Sequence, residues 1–411
     1  MGVSGGALAG TRVLDLTRVI AGPHCTRMLA ELGADVIKLE PPGGDQARRG
    51  VSLGSRGFAQ LNVGKRLISV DFDVPEARDL VRRLIGAVDV VIENFRPGVM
   101  AAWGLDYSSL AADHPGLIYV SISGYGQRGP WRHRRAYAPF VHAETGYLHT
   151  VAQLRQTPLE HDPMSIADLA AGKDATIAVL AALVERQRTG DGCYIDMSLA
   201  HSILFFNEFA AALLNPKGRP PKSGSTPQTI FVTADGHGFS AGNPVSSQVF
   251  APLCRALGCP ELIDDPRFVD SGARRQRRAE VISVLQDAVH RRGTIDEIER
   301  AVNAEGLVTG RVRAVPDVPD TEWVAERGAV MSVSSEAGEE LLIPSVPWIS
   351  SPTELPVGRG VAPFGANNME VLGELLGLSE SDIEKLEERG VLCRPVADHA
   401  SLAQDGSEES S

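Results

Sequence analysis

Two nearly continuous apolar runs of strand length, Val88–Glu93 and Leu117–Ser123, constrain this chain more than any other feature. A strand that is apolar on both faces has to be covered on both faces, the condition of a parallel sheet with helices above and below. The neighbouring segments supply those layers. Thr11–Leu16, Ala34–Glu40 and Leu67–Phe72 read as strands, and Cys25–Leu32 as a helix. From Pro75, residues Ala77, Leu80, Val81, Leu84 and Ile85 recur at helical spacing on one face. Pro75 suits the first turn of that helix, where its missing N–H is not needed. A long helix over Leu169–Arg188 follows, with Ile177, Leu180, Ala181 and Val184 expected on its inner face. Next come a strand at Cys193–Leu199 and an apolar helix at Ser202–Leu214. This alternation predicts an α/β fold with a doubly wound sheet.

At 411 residues the chain exceeds a typical single domain. Asn215–Gln228 is rich in Pro, Gly, Lys and Ser and reads as a linker. Beyond it the character changes to short strands and charged helices, among them Arg274–Arg292 with a narrow stripe of Val281, Ile282, Leu285 and Val289. Leu341–Ile343 is strand-like. A helix starts near Ser379, where Asp382 stands at capping-box spacing, and Gly390 stops it. The expected organisation is a large domain over 1–215, a linker at 216–228, a small domain over 229–327, a return to the large domain over 328–395 and a disordered tail at 396–411.

Charge and motif content remove several function classes. A formal charge of −12 argues against general attraction to nucleic acid or anionic membranes. No run of about 18 apolar residues occurs, so no membrane span is expected. Met1–Gly6 lacks the basic and apolar regions of a signal peptide and the Ser or Thr of a myristoylation site. Five scattered cysteines suggest neither a disulfide framework nor a zinc site, and a cytoplasmic location is expected. Gly124-Tyr125-Gly126-Gln127-Arg128-Gly129 fits a dinucleotide-binding pattern, but Pro130 and Arg132-His133-Arg134-Arg135 follow it instead of a helix start. A glycine-rich connection is the better reading, and NAD is not implied. There is no Walker A motif, and the histidines show no metal-ligand spacing.

Three donor-rich turns stand out: Thr17–Pro23, Asn62–Arg66 and Asn94–Gly98. Each alone is an ordinary polar turn. Placed together beyond the strand carboxyl ends, they suit a ligand with phosphates and a flat base. Asp168 precedes Leu169-Ala170-Ala171-Gly172 at the start of a long apolar helix. It reads either as a helix N-cap, which the residues by themselves favour, or as a carboxylate held ionised by the helix terminus, with small neighbours leaving room for a substrate.

Read together, these motifs resemble the class III coenzyme A transferases, the family of formyl-CoA and carnitine-CoA transferases. The resemblance is carried by Val13–Thr17 through Ala21-Gly22-Pro23, Leu32–Glu40, Asn94–Gly98, Gly104-Leu105, Leu117–Tyr119 through Gly129-Pro130, Ile166–Gly172, Arg188–Gly190 and Val371–Leu392. It implies a Rossmann-like large domain built from both chain ends, a smaller α+β middle domain, and two chains interlocked as a homodimer. It also implies acyl-CoA and a carboxylic acid as substrates, no tightly bound cofactor, and Asp168 as nucleophile. Arg18, Ile20, Ala21, Lys65, Asn94, Phe95, Arg96 and Arg135 are then expected to bind the CoA substrate. Backbone N–H groups near Ala21 and Gly242 are the expected oxyanion donors.

The chain departs from the family in two places. Ala136-Tyr137-Ala138 stands where many relatives carry Gly-Tyr-Asp or Gly-His-Asp. Tyr137 in place of the His argues against the family's α-methylacyl-CoA racemase branch, with His142 as a conceivable substitute base that reads better as structural. Ile20 replaces a Gln of formyl-CoA transferases and suggests a less polar or bulkier acyl group. Besides a CoA-transferase, a 2-methylacyl-CoA racemase and a non-catalytic CoA-binding or activator protein stay open.

Overall fold

The computed structural model describes residues 5–49, 54–215, 229–349 and 360–393; the expected linker at 216–228 and tail at 396–411 lie outside them. Six parallel strands form the central sheet: β1 (Arg12–Asp15), β2 (Asp35–Glu40), β3 (Arg66–Ser69), β4 (Val90–Glu93), β5 (Ile118–Ser123) and β6 (Cys193–Ser198), in the order β3-β2-β1-β4-β5-β6. The two runs that required a doubly covered sheet become β4 and β5, and every residue of both is buried. Because the order reverses between β1 and β4, a crevice opens at their carboxyl ends.

The helices around this sheet are α1 (Ala21–Glu31), α2 (Gly54–Asn62), α3 (Pro75–Ile85), single turns α4 (Val99–Ala102) and α5 (Tyr107–Leu110), α6 (Ala138–Glu144), α7 (Tyr147–Arg155), α8 (Ile166–Thr189), α9 (Leu199–Phe206) and α10 (Ala210–Leu214). All five predicted face residues of α3 are buried, and Pro75 begins it. The expected single helix at 202–214 is instead α9 and α10, parted by a turn at Asn207.

The expected inner face of α8 is a correction. Ile177 is 65% and Val184 60% exposed, while the buried side is Ala167, Ala170, Ala171, Gly172, Ala175, Thr176, Val179 and Leu183. Close approach of α8 to α1 selects small residues, so the larger apolar side chains fall on the opposite side. A Cβ on Gly172 would lie 2.6 Å from the Ala21 carbonyl oxygen and 3.1 Å from the His24 Cβ.

The described residues fall into two compact units, one drawn from Met1–Ala152, Pro158–Ala211 and Glu326–Ser411, the other from Gln153–Thr157 and Ala212–Ala325. The second has its own antiparallel sheet, β7 (Ile230–Val232), β8 (Gly238–Ser240) and β9 (Gly310–Arg311). Its helices include α11 (Ser247–Ala256), α12 (Ser271–Gln276), α13 (Arg278–Arg292) and α14 (Ile295–Ala304). Phe231, Phe239, Phe250, Phe268, Leu285 and Ile298 anchor its separate core. The expected Arg274–Arg292 helix is split at Arg277, but Val281, Leu285 and Val289 are buried as the pattern required. After α15 (Glu322–Arg327), the first unit resumes with the hairpin β10 (Val330–Ser334) and β11 (Glu340–Pro344), then α16 (Asn368–Leu376) and α17 (Glu380–Glu388). Ser379 and Asp382 form the reciprocal capping box, and Gly390 follows α17 at φ +71°.

Candidate active site

The loops after β1 and β4 meet at the crevice where the strand order reverses. The Arg18 N–H donates to Asn94 Oδ1 at 2.9 Å, and Asn94 Nδ2 donates back to the Arg18 carbonyl at 2.8 Å. Between them Val19 holds φ +69°, a left-handed conformation that a β-branched residue adopts only when its surroundings enforce it. The enforcing group is Asp45, whose two carboxylate oxygens accept from the Val19 N–H at 3.2 and 3.3 Å. Lys38 holds Asp45 in turn, donating to its Oδ2 at 3.0 Å and to the Thr17 carbonyl at 2.7 Å. Gly22 is obligatory, because a Cβ there would lie 2.2 Å from the Thr17 side chain. The loop therefore delivers Ile20 and Ala21 at the start of α1, a helix end without a side-chain cap. Uncapped first-turn N–H groups are ready donors for an anion. Ile20 and Ala21 are themselves buried.

Lys65 does not fit its expected place on a nucleotide path. Its turn follows α2 and precedes β3, at the amino end of that strand. The buried ammonium is occupied by Asp15 Oδ2 (3.0 Å), Thr26 Oγ1 (2.7 Å), Asn62 Oδ1 (2.8 Å) and the Pro23 carbonyl (3.2 Å). Burial, outweighing the attraction of Asp15, pulls its pKa down to about 8. Burial raises the Asp15 pKa, but Lys65, Lys38 and the hydroxyls of Thr17 and Thr26 overcome it and hold the carboxylate at about 2. Lys65 thus ties α1 to β1 from below, and a phosphate finds no free donor on it.

Of the remaining expected ligand groups, Arg18, Asn94, Phe95 and Arg96 belong to the two loops of this clasp, and Arg135 precedes α6. Phe95 is half-buried, edge-on to Trp103 and Phe72, with the Arg18 guanidinium 5.0 Å from its ring centroid. The next residue, Arg96, is exposed. Arg135 is also exposed, on the loop leading into α6. The Gly124–Gly129 segment is a loop that no helix follows until Ala138, as the reading against a dinucleotide site required. Gly242 belongs to the smaller unit and adopts φ +79°.

Asp168 is not the N-cap. Ser165 occupies that position, without a side-chain capping bond, and Asp168 lies in the first turn of α8. Its carboxyl is half-buried, and desolvation pushes the pKa up to about 6 against a single opposing bond from its own backbone N–H. Gly172, one turn further on, rests on the Ala21 carbonyl, so the face that carries Asp168 looks toward the start of α1. His24, pressed against Gly172, is kept neutral by burial and by Lys173, Arg27 and Lys65, with its pKa near 4. A half-buried carboxyl with a raised pKa, on the α8 face that looks toward the start of α1, has the chemistry to attack an electrophilic carbonyl.

Two features escaped the sequence reading, and a third, His142, bears out the structural role expected of it. Asp45 and Lys38, which fix the strained loop, are joined only by the tertiary fold. Glu93, at the carboxyl end of β4, is buried and has its pKa raised to about 7 by desolvation, against the Ser121 hydroxyl and the Phe95 N–H; a charge closing an apolar run was its only signal. His142 is fully buried, and its Nε2 accepts the Ala167 N–H at 3.0 Å, so it is not placed to act as an exposed base. Tyr137 is 61% exposed, whereas Ala138 is buried. Among the described residues no group of three or more His, Cys, Asp or Glu could hold a metal ion, and no helix is long and apolar enough to cross a membrane.

Known proteins resemble this chain along nearly its whole length. The family described as CoA-transferase family III matches residues 8–368. The chain is 32% identical over 397 residues to the succinyl-CoA–D-citramalate CoA-transferase of Chloroflexus aurantiacus, covering 94% of this chain and 98% of that protein. It is 33% identical over 401 residues to the succinyl-CoA:glutarate CoA-transferase of Mus musculus, covering 94% and 90%. A CAIB/BAIF family protein from Brucella suis superposes with a TM-score of 0.81 at 31% identity, covering 90% of this chain and all of that one. The chain is a member of CoA-transferase family III, enzymes that move coenzyme A between an acyl-CoA and a carboxylic acid.

Proposed function

We propose that Asp168 is the nucleophile of a CoA transfer that runs through covalent aspartyl intermediates. Its carboxylate attacks the thioester carbonyl of the donor; the C–S bond breaks, CoA leaves as thiolate, and a mixed anhydride remains. The thiolate then attacks the aspartyl carbonyl, expelling the donor carboxylate and leaving an aspartyl-CoA thioester. An acceptor carboxylate attacks that carbonyl to form a second anhydride, and the thiolate returns to the acceptor's acyl carbon, which frees Asp168. Each intermediate keeps the acyl group activated, so no ATP is consumed. The N–H groups of Ala21 and Gly22, at the uncapped start of α1, stabilise the tetrahedral oxyanions.

The observation that carries this reading is the place of Asp168: a half-buried carboxyl in the first turn of α8, on the face toward the uncapped start of α1, where desolvation raises its pKa to about 6. Arg18, Asn94, Phe95 and Arg96 at the switch-point crevice, with Arg135 nearby in sequence to α6, are the groups we assign to the nucleotide end of CoA; Lys65 is left out because its ammonium is spent. The relatives' names make succinyl-CoA the donor to test first, with a small dicarboxylic acid as acceptor. We further assign the protein to an interlocked homodimer in the cytoplasm. The exposed Ile177 and Val184 on α8 and Phe205 and Phe206 on α9 are apolar surface that a second copy would cover.

The test is mass spectrometry of the purified protein after succinyl-CoA and hydroxylamine. Conversion of Asp168 to a hydroxamate is the expected result; modification elsewhere, or exchange that survives Asp168→Ala, would overturn the assignment.

A further inference from the structure

The first turn of α8 is capped in an unusual way. Ser165 stands at the N-cap position, yet its side chain accepts no capping bond. The Ala167 N–H is taken instead by His142 Nε2 from α6, at 3.0 Å. An accepting Nε2 requires that the proton of the neutral ring sit on Nδ1. That Nδ1 is buried with no hydrogen-bond partner among the described residues. The ring is fully buried and packs on Tyr147, with centroids 4.9 Å apart. A helix that needed only a cap has the Ser165 hydroxyl in place. An imported imidazole with an orphaned N–H asks for another reason.

The reason lies in the neighbouring residue. Ala167 and Asp168 present adjacent N–H groups at the same helix end, and the N–H of Asp168 itself is what opposes the desolvation that raises its carboxyl's pKa. Each further N–H that a carboxylate accepts stabilises its charge and weakens it as a base and nucleophile. We propose that His142 is a positioning residue that takes the Ala167 N–H out of reach of the adjacent carboxylate and so keeps Asp168 a strong nucleophile. This rests on the assignment of Asp168 as nucleophile.

The charges around the pair are few. His161 and Asp162 face His142 from the segment before α8, and Tyr147 of α7 donates to Asp162 Oδ2 at 2.9 Å. On α6 itself Glu144 pairs with Arg134. α9 shares the core of α6 through Leu199 and Ile203, and its His201 is exposed. Burial holds the His142 pKa below its ordinary value, so the ring stays a neutral acceptor at neutral pH.

Two variants separate positioning from mere packing. His142→Gln keeps an acceptor at roughly the reach of Nε2, whereas His142→Leu fills the space and frees the Ala167 N–H. The Asp168 carboxylate is titrated directly in the full-length protein by 13C NMR with labelled aspartate, using Asp168→Asn to assign its signal. The expected midpoint is about pH 6 in the wild type and in His142→Gln, and about pH 5 in His142→Leu. With succinyl-CoA and labelled succinate, His142→Leu should lower the kcat for exchange about tenfold, leave KM nearly unchanged and move the acid limb to lower pH. Wild-type titration in His142→Leu, or a His142→Gln that titrates like the leucine variant, overturns the proposal. If His142→Leu does not fold, His142→Asn, too short to reach Ala167, takes its place with the same expectations. If hydroxylamine leaves Asp168 unmodified in the wild type while the titration still moves as expected, the nucleophile reading fails and the hydrogen-bond competition stands.

Discussion

Asp15 and Asp168 belong to the same compact unit and are both withdrawn from water, yet their carboxyl groups titrate at about 2 and about 6. Desolvation raises both. What differs is the company. Asp15 faces two ammonium groups and two hydroxyls, and its charge is repaid by ion pairing beneath the loop. Against the desolvation of Asp168 stands only the weak influence of its own backbone N–H. The same side chain thus serves as an anchor where partners surround it, and where they are withheld it keeps the basicity that the proposed nucleophile needs. Perturbed acids of the second kind collect at functional sites because stability there has been given up for reactivity.

Removing the half-buried member of this contrast should have the largest effect. Asp168→Asn is expected to lower CoA exchange about a thousandfold or more, because no other group on α8 replaces the nucleophile. Stability should move the other way. The folded pKa lies above the unfolded value, so the stability linked to this group is full below about pH 3.8 and is lost as pH rises through about 6. The asparagine avoids that loss. The two pKa values set a ceiling of roughly 3 kcal/mol, and contact with solvent reduces the expected gain to about 1–2 kcal/mol at pH 8, vanishing near pH 4. Urea denaturation at both pH values measures it. Equal stabilities at pH 8 would mean that desolvation at Asp168 is relieved in the working assembly.

The anchor should fail differently. Lys65→Met removes the cation with the most contacts to Asp15 and leaves a buried carboxylate with Lys38 alone, for an expected loss of about 3–5 kcal/mol at neutral pH. The folded pKa of Asp15 lies below its unfolded value, so its stabilisation is present above about pH 3.8 and is lost as pH falls through about 2. The gap between wild type and variant should therefore narrow toward pH 2 in denaturant titrations. A loss that stays constant across that range would trace the effect to packing of the lysine stem rather than to charge.

How much of this was legible beforehand follows from the range of the interactions. The α3 face and the Ser379–Asp382 box are local, set within a turn or two, and were readable as written. The two apolar runs announced a doubly covered sheet because burial on both faces leaves no room for polar alternation. The face of α8 was misread because hydrophobicity favoured Ile177 and Val184, while close packing against α1 chose alanine and glycine. Lys65 looked like a phosphate ligand because its destination, Asp15, is 50 residues away in sequence. The His142–Ala167 bond spans 25 residues and leaves no local trace. The reading of Asp168 as a nucleophile came only from family resemblance, since its local pattern favoured a cap, a position that Ser165 occupies instead.

The smallest effect sharpens the contrast at the loop that both regions share. Val19 at φ +69° pays for a left-handed backbone of order 1–2 kcal/mol, and the Asp45 and Asn94 hydrogen bonds on either side enforce it. Val19→Gly removes that strain but enlarges the conformational freedom of the unfolded chain by roughly 0.5–1 kcal/mol, so a net gain of up to about 1 kcal/mol is expected. If the strained loop exists to hold the α1 donors in register, the more stable variant should nonetheless exchange CoA a few-fold more slowly, with kcat reduced more than KM is raised. Should Val19→Gly instead lose more than about 1 kcal/mol, the valine side chain contributes packing that outweighs its backbone cost. The loop would then be held in place by its contacts, with the hydrogen bonds from Asp45 and Asn94 following the shape rather than imposing it.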